Sequence, residues 1–466
     1  MRFLLLPFLI PFTASALTLT EFQEKMRAHV AELPGKAAAS VRIEVLGNGQ
    51  ALFTHDDDVK LIPASDAKLI TAAAALDKLG AGYSFETRVV HSGENLVITS
   101  NGDPYLVSER LWLLARDVAR SGIKKVAAIQ VGTAAFSETY KGLTDFEDSG
   151  EPFTALVSPT ALNFNSLEIH VIPTGGKHPR VEAGPVPSAY AEVKNEVAEN
   201  GGSGKAITVK PLGFSNGKET FLVSGAIGRN SPPVVVYGIV SNPEAHIASV
   251  FAALLRKEGI TVGKDFGGTV GEPAGTLVAS QDSLPLQDLV RLFNTYSNNF
   301  MAEEVFQALG ANDGPSSLKK SAQVVAEFLQ RHAECKESVM TNGSGLSWDT
   351  RISAHCFTAI IQNAHREFRV FADLLGSLPA GGQTGTLKNR FKRAGEDFEA
   401  GKVRGKTGTL WSKQLATSLT GLTSTATGEK VIFSLIENDQ RKDPSKLGGL
   451  KGWEEKCLEL VQQLRL

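Results

Sequence analysis

Cysteine is scarce: the 466 residues hold three, Cys335, Cys356 and Cys457. Three thiols are too few for a disulfide scaffold. Their odd number leaves two readings open, one bridge with one free thiol or no bridge. Metal-ligand spacing is missing as well. The nine histidines form no HExxH pair and no His/Cys cluster, so neither a metal nor a cofactor is called for. His55 precedes Asp56, Asp57 and Asp58, but a charge run of this kind reads as a solvated loop. Net charge is nearly absent, since 48 basic residues face 50 acidic ones and leave -2. Charges spread this evenly present no basic face, which leaves no case for a nucleic-acid partner. Beyond the N-terminus no run approaches the ~18 uninterrupted apolar residues of a spanning helix, so the mature chain should have no stable membrane anchor.

What is present is ordinary globular material, 42% hydrophobic and 21% charged, which disorder, collagen and coiled coil do not match. The length suits two or three domains around an ample core. At the N-terminus Arg2 precedes an apolar run from Phe3 to Phe12, and Thr13-Ala14-Ser15-Ala16 sets small residues where a signal peptidase reads. Residues 1–16 are expected to be a secretory signal cleaved after Ala16, sending the chain to the periplasm; the alternative is an uncleaved anchor.

The pattern then changes twice. Val41 to Phe53 alternates around Gly47-Asn48-Gly49, a β-hairpin, and an Ala/Leu-rich helix is predicted from Asp66 to Leu79, capped by Gly80. From about Phe85 short β-type runs recur at Thr87–His91, Leu96–Thr99, Leu167–Ile172, Phe221–Val223 and Val234–Val240. Helices are predicted among them at Glu109–Ser121 and near Pro243–Gly259, and a flexible loop at Asn200–Gly204. Residues 85–274 therefore read as an inserted β-rich region of one or two subdomains. The flanks, 17–84 and 275–466, read as one discontinuous domain. Leu286, Leu289, Val290 and Phe293 share a helical face, and further helices are predicted over 298–309, 316–332 and 353–366. Val403–Leu410, Leu415–Thr423 and Lys430–Ile436 read as adjacent antiparallel strands. Cys457, Leu460, Val461 and Leu464 lie on one face of a closing helix, whose few basic residues favour packing on the sheet over lying on a membrane.

Chemistry concentrates in Ser65-Asp66-Ala67-Lys68. Residues three apart at a helix start share a face, so the Lys68 amine can stand beside the Ser65 hydroxyl. The helix N-terminus favours an oxyanion there. A desolvated amine near another cation can take the hydroxyl proton. The tetrapeptide alone is weak, because on the order of two such matches arise by chance in this length. Ser121/Lys124, Ser215/Lys218, Ser316/Lys319 and Ser317/Lys320 match too, and read as turns or helix caps. Context strengthens Ser65. Ser297-Asn298-Asn299 falls in a turn between two helices. Lys406-Thr407-Gly408-Thr409 falls on an edge strand, where Gly408 admits a substrate backbone and Lys406 offers a cation. SxxK, SxN and KTG in this order supply a nucleophile, a base, a proton-transfer group and an anion clamp, the set that penicillin-binding proteins and serine β-lactamases use. Gln383-Thr384-Gly385-Thr386 partly echoes the last motif but is too short to signal a repeat fold.

With these motifs the sequence resembles the S13 family of D-alanyl-D-alanine carboxypeptidases/endopeptidases, the low-molecular-mass class C penicillin-binding proteins. The resemblance spans nearly the whole mature chain. It includes Asn101-Gly102-Asp103-Pro104, Leu162-Asn163-Phe164-Asn165-Ser166, Ala302-Glu303, Asn342-Gly343-Ser344-Gly345-Leu346-Ser347 and Leu378 to Leu387. The long gap between Lys68 and Ser297 is particular to that family. The resemblance implies an α/β fold, a split β-lactamase/transpeptidase-like domain with an antiparallel sheet flanked by helices. By the same resemblance Ser65 is the nucleophile, Lys68 the base, Ser297 the proton relay and Asn299 an orienting group. Lys406 then steadies the terminal carboxylate and lowers the Lys68 pKa. Thr407, Gly408 and Thr409 line the substrate strand, with the N–H groups of Ser65 and Thr409 as oxyanion hole. Peptidoglycan peptides would be substrates and β-lactams covalent inhibitors.

Four residues depart from the family pattern. Asn298 and Asn342 replace acids, and the second change would remove a buried ion pair. Trp348 and Trp411 stand at positions that help bind a diaminopimelate side chain in some relatives. They would either form an apolar, cation-binding wall or simply pack. Between Phe136 and Pro159 only Asp145, Glu147, Asp148 and Glu151 remain of an acidic stretch that could overhang the cleft. A β-lactamase or esterase would need a motif for a deacylating water, and none is seen. A non-catalytic wall-binding protein would have no use for Ser65 and Lys68 together. Oligomeric state is not written in the sequence, and a homodimer is compatible with it.

Overall fold

Strands Leu415–Ser424 and Lys430–Asp439 are buried almost throughout, so the sheet they form is covered on both faces. The computed structural model describes residues 16–34, 37–141, 151–202, 204–311, 314–392 and 399–466. The expected leader, apart from Ala16, and Asp145, Glu147 and Asp148 lie outside the described residues. The sheet has five antiparallel strands in the order Arg404–Leu410, Leu415–Ser424, Lys430–Asp439, Ala37–Val45, Ala51–His55. Chain ends thus meet at its centre, where Ala37–Val45 pairs with Lys430–Asp439 over nine residues.

Alternation along the strands divides two cores. Leu419, Phe433 and Leu435 face the terminal helices Leu19–Ala31 and Leu447–Gln463, together with Phe22, Met26, Cys457 and Val461. The closing helix therefore packs on the sheet. Leu422, Ile432 and Ile436 face an all-helical layer. Its centre is Ala67–Leu79, whose small side chains let Leu286–Tyr296, Asn299–Leu309 and Ala354–Arg366 approach. Cys335 and Cys356 form a disulfide within this layer, and Cys457 is a buried free thiol.

The region between these halves holds two further cores. One is a mixed sheet in the order Thr261–Lys264, Lys125–Gly132, Asn95–Ser100, Glu86–Ser92, Thr276–Asp282, with Thr269–Val270 also on Lys125–Gly132. Helices Ser108–Arg120 and Pro243–Lys257 cover it. All three of its pairings along Lys125–Gly132 are parallel, and with the two helices this part of the inserted β-rich region is α/β. Thr276–Asp282 pairs with Glu86–Ser92, which carries the inserted sheet to residue 282, past the expected boundary at 274. The other core lies between two three-stranded sheets spanning Ser166–Ile172 to Val234–Ile239. Phe221–Val223 is the buried middle of the strand Lys218–Gly228. Among the described residues no helix is long and apolar enough to cross a membrane.

Candidate active site

The helix does not begin at Asp66 as a regular turn. Ala64–Asp66 forms a 3-10 turn that runs into Ala67–Leu79, and Ala64 adopts a left-handed backbone (φ 47°). An L-residue held there is strained by about 1–2 kcal/mol, which the packing around the turn must offset. The result presents Ser65 half-buried at the cleft while Lys68, one turn on, is fully buried. Lys68 Nζ stands 3.0 Å from Ser65 Oγ, 2.7 Å from Asn299 Oδ1 and 2.8 Å from the Ser344 carbonyl. A neutral amine has two N–H donors and one lone pair. The two carbonyl oxygens can take both donors, which turns the lone pair toward the hydroxyl.

Ser297 ends helix Leu286–Tyr296 in a left-handed conformation (φ 55°). Asn298 caps the next helix, its side chain accepting from Met301 N at 2.9 Å. An Asn fills this capping role as well as an Asp would, and the cap fixes the junction that carries Ser297 and Asn299. Lys406 Nζ donates to Ser297 Oγ at 2.9 Å and to the Thr407 carbonyl at 2.6 Å. Thr407 Oγ1 donates to Thr386 Oγ1 at 2.9 Å. Gly408 faces the nucleophile turn: a Cβ there would stand 2.1 Å from Ser418 Oγ, 2.5 Å from the Pro63 carbonyl and 3.1 Å from Ser65 N. Thr409 follows on the same strand, in register with Thr417.

Electrostatics follow from burial. Desolvation pushes the Lys68 amine well below its ordinary pKa, and the nearby Lys406 charge pushes it further, against the pull of Glu303 and Asp66. Burial lowers Lys406 to about 8, with Asp66 pulling it up. Asp66 is itself fully buried, with the Thr420 and Ser418 hydroxyls beside its carboxylate. Burial raises its pKa well above the carboxylate range, opposed by Lys406.

Ser65, Lys68, Ser297, Asn299 and Lys406 thus converge. The tryptophans do not. Trp348 is only 6% exposed and packs with Ile62, Ala64, Leu346, Leu410 and Ala416. It is buried against the nucleophile turn, as the packing alternative expects; Trp411, 42% exposed, lies just past the end of the edge strand. Asn342 needs no counter-ion where it stands, since its Oδ1 accepts from Gly345 N at 3.1 Å and its Nδ2 donates to the Leu346 carbonyl at 3.3 Å.

Three contributors were not assigned roles from sequence. Glu303 accepts from Gly343 N at 3.0 Å and Ser344 N at 2.9 Å, fixing the loop whose carbonyl binds Lys68. Burial raises its pKa, against those bonds and the Lys68 charge. The Phe153 carbonyl, from the inserted region, accepts from Asn299 Nδ2 at 3.2 Å. Thr386 is the third. Glu303 lay in a stretch noted only through resemblance, and Thr386 also in the partial echo of the Lys406 motif; for Phe153, whose backbone makes the contact, no side-chain signal exists.

A family model described as "D-Ala-D-Ala carboxypeptidase 3 (S13) family" matches residues 22–457. A D-alanyl-D-alanine carboxypeptidase from an Actinomadura species is 28% identical over 459 residues, covering 91% of this chain and 82% of that protein. Penicillin binding protein 4 of Haemophilus influenzae superposes with a TM-score of 0.75 at 22% identity, covering 96% of this chain and 99% of that one. A second structure of that protein, complexed with a β-lactam, superposes with a TM-score of 0.73, again at 22% identity, covering 94% and 99%. At these identities the structural likeness speaks for the fold: the mixed α/β fold of penicillin-binding proteins, with extra sheets.

Proposed function

Because this chain belongs to the D-Ala-D-Ala carboxypeptidase 3 (S13) family of serine peptidases, we propose that it hydrolyses D-Ala-D-Ala termini of peptidoglycan peptides through an acyl-enzyme on Ser65. Ser65 Oγ attacks the penultimate D-Ala carbonyl and passes its proton to neutral Lys68. The N–H groups of Ser65 and Thr409 receive the oxyanion. The tetrahedral adduct collapses, the C–N bond breaks, and the leaving amine takes the proton from Lys68 through Ser297, which returns Lys68 to its neutral form. Lys406 and Thr407 hold the leaving carboxylate, and Asn299 orients Lys68 and the peptide. Water then attacks the acyl carbon, losing a proton to Lys68, and Ser65 Oγ departs with a proton.

The observation that carries this reading is the meeting of two fully buried amines with two hydroxyls, Lys68 with Ser65 and Lys406 with Ser297, at 3.0 and 2.9 Å. The same acyl group in a D-Ala-to-diaminopimelate cross-link makes DD-endopeptidase activity a second outcome of the same site. β-Lactams acylate the same serine in this reading. Export to the periplasm is part of the proposal, supported by the Cys335–Cys356 disulfide, which persists in oxidising compartments.

Fluorescent penicillin tests the reading. Purified protein should be labelled covalently and Ser65→Ala should not. Release of D-Ala from a pentapeptide, and of monomers from cross-linked muropeptides, should vanish together with the label. An unlabelled, inactive wild-type protein would sink it.

A further inference from the structure

Gln383-Thr384-Gly385-Thr386 echoes Lys406-Thr407-Gly408-Thr409, yet the proposed chemistry uses only the second. The fold joins the two echoes through the Thr407–Thr386 hydroxyl contact already described. Thr386 belongs to the short turn Gly385–Leu387, which is pinned at three points. Gly385 lies against the end of helix Leu286–Tyr296: a Cβ there would stand 2.1 Å from the Thr295 carbonyl. Thr384 Oγ1 accepts from Ala380 N at 2.8 Å, and Ala380 bridges to Arg404 on the edge strand. Leu387 is buried in the core. The turn is therefore braced between the Ser297 end of one helix and the strand that carries Lys406.

The Thr386 side chain itself is exposed. Its oxygen accepts from Thr407, so its own proton is left to donate outward. Lys406 stands behind the pair, bonded to Ser297 and the Thr407 carbonyl. The exposed Thr386 hydroxyl, with the half-buried Thr407 hydroxyl and a buried ammonium beside it, makes a site for a carboxylate. Ser297, the proposed relay to the leaving amine, shares the Lys406 ammonium, which puts this site on the leaving side.

We propose that Thr386 donates a further hydrogen bond to the α-carboxylate of the leaving residue, beside Thr407 and Lys406, and so sets how tightly that residue is held. A terminal D-Ala presents such a carboxylate, and so does the D-centre of diaminopimelate in a cross-link. The inference rests on the DD-peptidase reading and adds a specificity-determining residue to it.

Two substrates separate the roles: a peptide ending in D-Ala-D-Ala, and an N-acyl-D-Ala methyl ester whose leaving methanol has no carboxylate. Thr386→Val should lower kcat/KM for the peptide by about 10- to 100-fold, mainly through KM, as expected for one hydrogen bond to a charged group. Ester hydrolysis should stay within about twofold, and Thr386→Ser should restore the peptide rate. Equal losses on both substrates would mean a merely structural role, and no loss on the peptide would mean no contact; either overturns the inference while leaving the DD-peptidase reading standing. A wild-type enzyme inert to both substrates and to penicillin removes that reading, and this inference falls with it.

Discussion

Lys406 donates to Ser297 Oγ across 2.9 Å, binding the edge strand to the junction between two helices 109 residues earlier. The contact gives the cleft its pH dependence. Catalysis as proposed needs Lys68 neutral and Lys406 charged. Burial and the Lys406 charge hold Lys68 well below its ordinary pKa, so it loses its proton first as pH rises, and activity appears. Lys406 follows at about 8, and carboxylate binding is then lost. The profile of kcat/KM on a D-Ala-D-Ala peptide should therefore fall above about pH 8, through a rise in KM. Asp66→Asn removes the charge that pulls Lys406 up and should move this limb to lower pH. A limb that the methyl ester shares, or that Asp66→Asn leaves in place, would argue against Lys406 as its source.

Glu303 acts on Lys68 through Gly343 and Ser344. Glu303→Gln keeps an acceptor but sets an amide N–H against a backbone N–H, so the loop should shift. A loss in kcat/KM of about 10- to 100-fold is expected, equivalent to ~1.4–2.8 kcal/mol. Glu303 also pulls the Lys68 pKa up. Its removal should move the acidic limb of the pH profile to lower pH. A structural lesion alone would lower the rate and leave that limb where it was.

Gly408→Ala places a methyl group where Ser418, the Pro63 carbonyl and Ser65 N already stand. Overpacking of this kind destabilises by about 1–3 kcal/mol. The strand must withdraw from the nucleophile turn, so penicillin acylation should slow by more than the modest fall in Tm suggests. Stopped-flow acylation beside a thermal melt reads both quantities, and unchanged acylation would contradict the close approach of strand and turn.

The two tryptophans should part company. Trp348→Ala empties a buried site under Ala64 and should destabilise by about 3–5 kcal/mol, lowering activity on every substrate. Trp411→Ala touches an exposed side chain and should leave Tm nearly unchanged. Any change it makes should appear as a ratio between diaminopimelate- and lysine-containing peptides. A stable Trp348→Ala protein with altered selectivity would reverse this assignment.

Parts of the fold were legible for physical reasons. Leu415–Ser424 and Lys430–Asp439 are continuous runs of small, β-branched and apolar residues, and the Ala/Leu stretch after Asp66 has helical spacing. Ala191–Asn200 and Lys205–Ser215 were not legible, because they are polar and largely exposed and take their place by pairing with Lys218–Gly228. Nor could spacing show that Thr276–Asp282 returns to Glu86–Ser92, nearly two hundred residues back.

The site divides in the same way. The amino-acid sequence by itself determined the chemical types and their order: a hydroxyl one helical turn from an amine, then Ser297 and Asn299, then Lys406 beside a glycine. Helix geometry makes the first of these relations local, so it can be read from spacing. Tertiary structure alone decided that Lys406 meets Ser297, that Glu303 anchors the Lys68 loop, that Asp66 is buried under the cleft, and that Trp348 is buried as well. Those outcomes depend on burial and on charges brought together from distant segments, and the basicity of an amine is set by its final surroundings rather than by its neighbours in the chain.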